Sequence, residues 1–180
     1  MSPEDIDRTK ENLFRRGANV KSIYSSRAYN NLDVYQLNCT YYSALGDDDD
    51  AYLLARAIQF FAPGIPQIYY VGLLAGQNDL ELLERTKQGR DINRHAYTLD
   101  EIEAETEREV VRRLFSLMRF RNRLGFFDGG LRVETTPDSL LSITRTGSAG
   151  EAVLEADCRK KEFTLRYREA EDSEYRTLEV

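Results

Sequence analysis

The sequence predicts an α/β segment followed by a small antiparallel β unit. A strongly apolar helical pattern spans residues 51–61 and ends at Pro63-Gly64, and an apolar run over residues 65–71 follows at once. This run does not alternate cleanly, which is typical of a strand covered on both faces in a parallel sheet. From Asp128 onward apolar and polar residues alternate, which predicts antiparallel strands with one solvent-facing side.

The composition excludes several classes of protein. Hydrophobic residues make up 41% of the 180 residues and charged residues 31%, and the net charge of −6 argues against a general nucleic-acid or anionic-membrane binder. No apolar run approaches the roughly 20 residues that span a bilayer. The two cysteines, Cys39 and Cys158, cannot form a disulfide framework or a four-ligand zinc site. We find no signal peptide, zinc motif, phosphate loop or dinucleotide fingerprint, and we expect a cytoplasmic protein without a cofactor.

The N-terminal residues predict a helix that is followed by a loop. Ser2, Pro3 and Asp5 form a helix start with a capping box, and Gly17 is a natural left-handed stop. We expect an ordered loop over residues 18–34. Residues 35–42 alternate in a way that favours an extended segment.

A run of four carboxylates, residues 47–50, has two interpretations. It could bind a metal ion, or it could begin a helix, where negative charge meets the unpaired amides and the helix dipole. A calcium loop of the EF-hand type needs glycine at its sixth position, where Tyr52 stands. We therefore favour the helix start.

The long connection over residues 72–97 is the candidate location of a site. It has a predicted helical middle over residues 78–87, and loops after the carboxyl ends of parallel strands are where α/β proteins place their sites. Thr98 and Glu101 form a second capping box, which predicts a single helix from residue 99 to about residue 124. We expect the acidic tail from Glu169 to fray.

Four positions are candidates for chemistry. His95 is the sole histidine, so serine or cysteine triads would have to use it, although a structural role is commoner for a lone histidine. Arg90 offers a planar fork of donors to a sugar hydroxyl, carboxylate or phosphate, and a buried ion pair is the equal alternative. Tyr69-Tyr70 favours a place in the core over a ligand platform. Residues 31–36 combine a carboxylate, a phenol and an amide, which suits hydroxyl-rich ligands but is also common in loops.

Three sequence blocks resemble one enzyme family, in the same order and at the same spacing. They are residues 31–46 (NLDVYQLNCTYYSALG), 57–72 (AIQFFAPGIPQIYYVG) and 89–95 (GRDINRH). On these blocks the chain resembles the sucrose phosphorylases, α-amylase-like members of glycoside hydrolase family 13. The resemblance is firm from about Asn30 to Gly129.

The resemblance implies a fold and a division into segments. The family has a (β/α)8 barrel with inserted subdomains and an antiparallel C-terminal domain, and this chain resembles its C-terminal third. Residues 1–46 would be the insert and acceptor-loop region after barrel strand seven. Residues 47–127 would end the barrel with helix seven, strand eight (residues 67–71) and helix eight, and residues 128–180 would form the C-terminal β domain. The neighbours of strand eight would then lie outside this sequence, and such an unpaired strand favours weak stability or association.

The resemblance also implies a reaction. Family members convert sucrose and inorganic phosphate into α-glucose 1-phosphate and fructose with retention, using two carboxyl groups that lie upstream of the matched segment. No catalytic residue is therefore assigned, and we expect the chain alone to be inactive. Arg90 matches the arginine that holds the glucosyl unit. The mobile acceptor loop matches Asp33, Val34, Tyr35 and Gln36, with the Asp and Gln facing fructose in one state and the Tyr facing phosphate in the other.

Several alternatives stay open at this point. The chain could be part of an enzyme, a small subunit that completes a separate N-terminal barrel fragment, or a non-catalytic relic. Residues 32–36 favour fructose as the acceptor. Fructose 6-phosphate would need added cationic groups, for which Arg27 and Lys21 are the nearest candidates, and glycerate and glycerol are further options. His95 matches a family histidine to which we assign no chemical role.

Overall fold

The computed structural model describes residues 2–18, 25–26, 29–30, 37–136 and 139–180. The chain divides into two compact units, Met1–Asp48 with Tyr69–Thr106, and Asp49–Ile68 with Glu107–Val180. The four acceptor-loop residues predicted from the resemblance, Asp33, Val34, Tyr35 and Gln36, lie outside the described residues.

The helices and strands of the described residues follow in chain order. The helices are α1 (Pro3–Arg15), α2 (Tyr41–Ala44), α3 (Asp49–Phe61), α4 (Tyr70–Leu73), α5 (Leu80–Thr86), α6 (Leu99–Thr106) and α7 (Glu109–Arg121), with 3-10 turns at Gly89–Asn93 and Leu124–Phe126. The strands are β1 (Ser25–Ser26), β2 (Tyr29–Asn30), β3 (Gly130–Thr135), β4 (Leu140–Gly147), β5 (Gly150–Asp157), β6 (Glu162–Glu169) and β7 (Arg176–Thr177). Among these helices, none combines the length and the hydrophobicity that crossing a bilayer requires.

The predicted start and end of α1 are confirmed. The Asp5 amide donates to Ser2 Oγ at 3.1 Å, and the Ser2 amide donates to Asp5 Oδ2 at 3.2 Å, which is the reciprocal capping box. Gly17 has a φ of 84°, the left-handed conformation that ends a helix at low cost for glycine.

The carboxylate run begins α3, as predicted. The helix starts at Asp49, so Asp49 and Asp50 lie in its first turn, where the helix dipole favours negative charge. Most of its apolar side chains are buried; Tyr52, Leu53, Ala57 and Phe61 are each 1% exposed or less. Residues 62–64 follow as a bend, and Gly64 has a φ of 95°.

The predicted parallel strand at residues 67–71 is wrong for this structure. Residues 65–69 form no strand, and Tyr70 begins the single helical turn α4. A strand is defined by ladder hydrogen bonds to a neighbour, and no strand of the described residues runs beside this segment. The barrel part that the resemblance implies is therefore not evident. The two tyrosines expected in the core, Tyr69 and Tyr70, are 54% and 40% exposed.

Two further predictions fail for local reasons. The extended segment predicted over residues 35–42 contains one isolated bridge at Asn38 and then turns into α2 at Tyr41. The single helix predicted over residues 99–124 is broken between α6 and α7. The hydroxyl of Thr106 donates back to the Glu103 carbonyl at 2.8 Å, a local bond that competes with helix continuation, and the division between the two units falls at this break.

The antiparallel β unit is confirmed. Strands β3 to β7 form one sheet in sequential order, with every neighbouring pair antiparallel. One face buries Ile143, Leu154 and Leu165, and this face packs on α3 and, through the ring of Tyr167 at 5.3 Å from Phe120, on α7. The opposite face is largely polar, as the alternation predicted.

The C-terminal tail does not fray as predicted. Residues 176–177 pair with β6, and the Leu178 amide donates to the Leu165 carbonyl at 2.8 Å. The Arg113 Nε donates to the Val180 carbonyl at 3.0 Å. Backbone pairing outweighs the acidic composition of this segment.

Candidate functional site

The candidate site is the turn that carries Arg90. This residue is the second of the 3-10 helix Gly89–Asn93, in which Gly89 and Ile92 are buried and Arg90 is exposed. The Asp91 amide donates to the Gln88 carbonyl at 3.0 Å, and the Arg94 amide donates to the Asp91 carbonyl at 3.0 Å. The backbone is thus closed on itself while the guanidinium faces solvent. Arg90 is exposed and has no ion-pair partner among the described residues, so they do not provide the buried ion pair that was the alternative.

Asp79 fixes this turn to the start of α5. Its backbone amide donates to the Ile92 carbonyl at 2.8 Å, and its Oδ1 accepts from the Leu82 amide at 2.7 Å, which caps the helix. Burial alone would raise the pKa of Asp79. The Leu82 amide and His95 outweigh burial and hold this pKa below its ordinary value.

His95 lies between two carboxylates. Its Nδ1 is 2.6 Å from Asp79 Oδ2, and its Nε2 is 3.5 Å from Glu101 Oε1. The hydrogen bond to Asp79 raises the pKa of His95, burial opposes this, and Glu101 adds to the rise. Within the described residues no serine or cysteine bonds to the ring. This geometry agrees with the structural interpretation of His95 rather than with a nucleophilic triad.

Two tyrosines, Tyr70 and Tyr97, contact His95. The Tyr70 hydroxyl donates to the His95 carbonyl at 2.8 Å, and burial, then Tyr69, raise the pKa of Tyr70. The Tyr97 ring meets the imidazole edge-on, with 4.6 Å between centroids. A Cβ at Gly76 would overlap the Tyr97 hydroxyl and the Val71 side chain, so any larger residue there would displace them. Tyr70 therefore lies at the site rather than in the core, and the exposed Tyr69 contacts the Tyr70 ring.

Asn78 ties the Asp79 backbone to the segment that follows the predicted acceptor loop. Its Oδ1 accepts from the Thr40 amide at 2.8 Å, its own amide donates to Ser43 Oγ at 3.0 Å, and its Nδ2 donates to the Arg16 carbonyl at 3.3 Å. Thr40 follows Gln36, the last predicted acceptor residue, by four positions. The start of α5, Asn78 and His95 line a shallow polar depression of 410 Å³.

Of the predicted site residues, the structure describes Arg90 but not residues 33–36, so it does not test whether they meet. Sequence reasoning missed Asn78 and Asp79. The signal that could have found Asp79 is its position as an N-cap residue directly before Leu80. Within the described part of the chain, no cluster of three or more His, Cys, Asp or Glu residues could hold a metal ion.

The chain is similar in sequence to phosphorylases that act on several glucosides, although no protein-family model matches it. It is 51% identical to the sucrose phosphorylase of Streptococcus mutans over 171 residues, which are 94% of this chain and 36% of that protein. It is 44% identical to the glucosylglycerol phosphorylase of Marinobacter adhaerens, covering 98% of this chain and 35% of the relative.

A solved structure gives the same result. The crystal structure of sucrose 6F-phosphate phosphorylase from Thermoanaerobacter thermosaccharolyticum superposes with a TM-score of 0.89 at 44% identity, covering 100% of this chain and 36% of that one. The chain belongs to the sucrose phosphorylase family and corresponds to a C-terminal part of these enzymes. It spans about a third of the length of the relatives that it matches.

Proposed function

We propose that this chain is the substrate-binding C-terminal part of a sucrose phosphorylase. The complete enzyme would transfer the glucosyl unit of sucrose to inorganic phosphate, giving α-glucose 1-phosphate and fructose with retention of configuration. The sequence relationship supports this reaction, and the observation that carries the proposal is the exposed Arg90 on a turn held by Asp79. An exposed guanidinium on a fixed backbone is suited to binding a ligand.

We assign the binding of the glucosyl unit to Arg90. A guanidinium presents several N–H donors in one plane, and paired hydrogen bonds to sugar hydroxyls fix both the position and the orientation of the ring. Orientation matters because a misplacement of about 1 Å can cost roughly 10²-fold in rate. The attacking carboxylate and the acid would come from the part of the enzyme that this chain does not span.

We assign the binding of the acceptor to residues 33–36. Asp33 and Gln36 would bind fructose hydroxyls, and Tyr35 with Val34 would occupy the site when phosphate is bound. A carboxylate about 4 Å from a phosphate charge is repelled by about 4 kcal/mol at an effective dielectric constant of 20. Asp33 must therefore leave before phosphate enters, which makes a two-state loop a physical requirement of this reaction.

The chain would act only within a larger assembly. We place residues 1–46 in the acceptor-loop region, residues 47–127 at the end of a (β/α)8 barrel and residues 128–180 in the C-terminal β domain. Ile65 is 90% exposed and Tyr69 54% exposed, and side chains from the rest of a barrel would cover such apolar surface. A continuous longer chain or a separate N-terminal fragment would satisfy this equally. The free thiols of Cys39 and Cys158 agree with a cytoplasmic setting.

A chimera tests the proposal. This chain replaces the corresponding C-terminal part of the S. mutans sucrose phosphorylase, and phosphate-dependent release of glucose 1-phosphate from sucrose is measured. We expect activity in the chimera and none in the chain alone. A chimera that unfolds cooperatively, and is therefore folded, but releases no glucose 1-phosphate would contradict the proposal and favour a relic.

The reverse reaction tests which acceptor the enzyme prefers. The chain is also 49% identical to a sucrose 6(F)-phosphate phosphorylase from Thermoanaerobacterium thermosaccharolyticum, so fructose 6-phosphate is the main competitor. The chimera is given glucose 1-phosphate with fructose, fructose 6-phosphate, glycerol or glycerate. We expect fructose to give the highest kcat/KM, and a preference for another acceptor would reassign the chain within the family.

A further inference from the structure

We propose that Asp79 and His95 are positioning residues that set the orientation of Arg90. The inference rests on the proposed function, because it assumes that Arg90 binds the sugar. Neither residue would touch substrate. Their effect on the reaction would pass through the backbone of residues 89–95.

Asp79 makes two hydrogen bonds to this segment and a third that caps α5. Its amide donates to the Ile92 carbonyl at 2.8 Å, Oδ2 pairs with His95 Nδ1 at 2.6 Å, and Oδ1 caps α5 through the Leu82 amide at 2.7 Å. Ile92 lies two residues after Arg90, and its side chain is fully buried. The chain that follows Arg90 is therefore held at Ile92 and again at His95. Both hydrogen bonds are made by Asp79.

His95 extends this anchor to a second helix. Its Nε2 is 3.5 Å from Glu101 Oε1, and Oε2 of the same carboxylate accepts from the Thr98 amide at 2.6 Å in the capping box of α6. The Tyr70 hydroxyl donates to the His95 carbonyl at 2.8 Å, so the backbone of His95 is fixed as well as its ring. The segment that carries Arg90 is thus attached to the starts of α5 and α6 and to α4.

The charge of the imidazole decides how many of these attachments hold. The titratable groups that face the ring are Asp79, Glu101 and Tyr97, while Tyr70 contacts its carbonyl and Arg85 acts on Asp79. A protonated ring donates from both nitrogens and can bond both carboxylates. A neutral ring has one N–H, which satisfies Asp79 and releases Glu101. Protonation of His95 should therefore tighten the Arg90 segment.

Nuclear magnetic resonance on this chain tests the coupling without any sugar. Because His95 is the sole histidine, its Cε1–H signal reports its titration alone. We expect the amide signals of residues 89–93 to shift with the same midpoint as His95. We also expect Asp79→Asn, which keeps the cap because Asn is an equally good N-cap residue, to lower the pKa of His95 and to move those amides. The proposal would be overturned if, in the unchanged chain, the amide shifts of residues 89–93 stay constant while His95 titrates.

The control variant is Asp100→Asn. Asp100 is an exposed carboxylate in the first turn of α6, next to Glu101, and lies outside the Asp79–His95 contacts. We expect it to leave the midpoint of His95 and the amides of residues 89–93 unchanged. An effect as large as that of Asp79→Asn would mean that general charge, rather than the pair, moves the turn.

Kinetics of the chimera separate the two proposals. We expect Asp79→Asn to lower kcat/KM for sucrose by roughly ten- to a hundredfold, which matches a misplaced binding group. We expect His95→Gln to remove the part of the pH profile that follows the titration of His95. An inactive chimera with intact coupling in the NMR experiment refutes the proposed function alone. An active chimera in which Asp79→Asn keeps full kcat/KM refutes the positioning role alone.

Discussion

The imidazole Nδ1 of His95 lies 2.6 Å from Oδ2 of Asp79, a residue 16 positions earlier in the chain. Residues 79–95, which include Arg90, therefore form a loop whose two ends are joined by this pair. The two groups stabilise each other's charged forms, since Asp79 raises the pKa of His95 and His95 contributes to the lowered pKa of Asp79. The sole histidine of the chain therefore holds the Arg90 loop in position and does not transfer protons.

The pair makes stability depend on pH in a defined direction. Because the pKa of His95 is raised in the folded chain, its contribution is complete below the ordinary histidine pKa of about 6.5 and is lost as pH rises through the folded pKa. The lowered pKa values of Asp79 and Glu101 mean that their contribution is lost as pH falls below about 4. We expect the Tm difference between the unchanged chain and His95→Gln to be largest between about pH 4.5 and 6.5.

Thermal unfolding across this pH range measures that difference. The Tm of both chains is recorded from about pH 4 to pH 9 at constant ionic strength. A Tm difference that stays constant across the range, or that grows above pH 7, would contradict a charged His95 in the folded chain.

Local features of the fold were predictable from the sequence, whereas features that depend on distant partners were not. The capping boxes at Ser2 and Thr98 join residues three positions apart, so the sequence pattern alone specifies them. The strand predicted at residues 67–71 needs neighbours to pair with, and no pattern within the segment supplies them. The Asp79–His95 pair had no local signal either, because a tertiary fold must first bring the two residues together.

Asn78 is predicted to be the main polar anchor of its unit. Asn78→Ala removes the acceptor for the Thr40 amide, and Thr40 is only 4% exposed. Leaving a buried amide unpaired costs about 1–3 kcal/mol, so we expect the free energy of unfolding in urea to fall by that amount. The matched control is Gln77→Ala at the exposed neighbouring position, for which we expect a change within about 0.5 kcal/mol. Equal losses in both variants would exclude an anchoring role.

Gly150 is predicted to be required at the start of β5. Its φ is 137°, and a Cβ there would overlap the Arg168 carbonyl and lie 2.9 Å from the Glu169 Cα, both backbone atoms that cannot rotate away. We expect Gly150→Ala to lower the free energy of unfolding by about 1–3 kcal/mol. At Gly130 the nearest obstacle is the Thr146 Oγ1, at 2.5 Å, which can turn aside. Gly130→Ala should therefore cost less, and the reverse order would contradict the strand register.

The proposed acceptor residues should separate the two half-reactions. In the chimera, Asp33→Asn removes the carboxylate assigned to fructose, so we expect the KM for fructose to rise in the reverse reaction while the KM for phosphate stays the same or falls. Tyr35→Phe removes the hydroxyl assigned to phosphate and should raise the KM for phosphate instead. Parallel changes in both KM values would contradict a loop with two binding states.

The role of Arg90 in the chimera is the most direct test of the proposed function. Arg90→Ala removes the guanidinium assigned to the glucosyl unit, and hydrogen bonds to charged groups are worth about 1.5–3 kcal/mol each, so we expect kcat/KM for sucrose to fall by roughly 10²-fold or more. Arg94→Ala, which removes another exposed arginine four residues later, is the matched control and should change kcat/KM by less than about threefold. A folded chimera in which Arg90→Ala and Arg94→Ala have the same effect on kcat/KM would contradict the assignment of Arg90 as the sugar-binding residue.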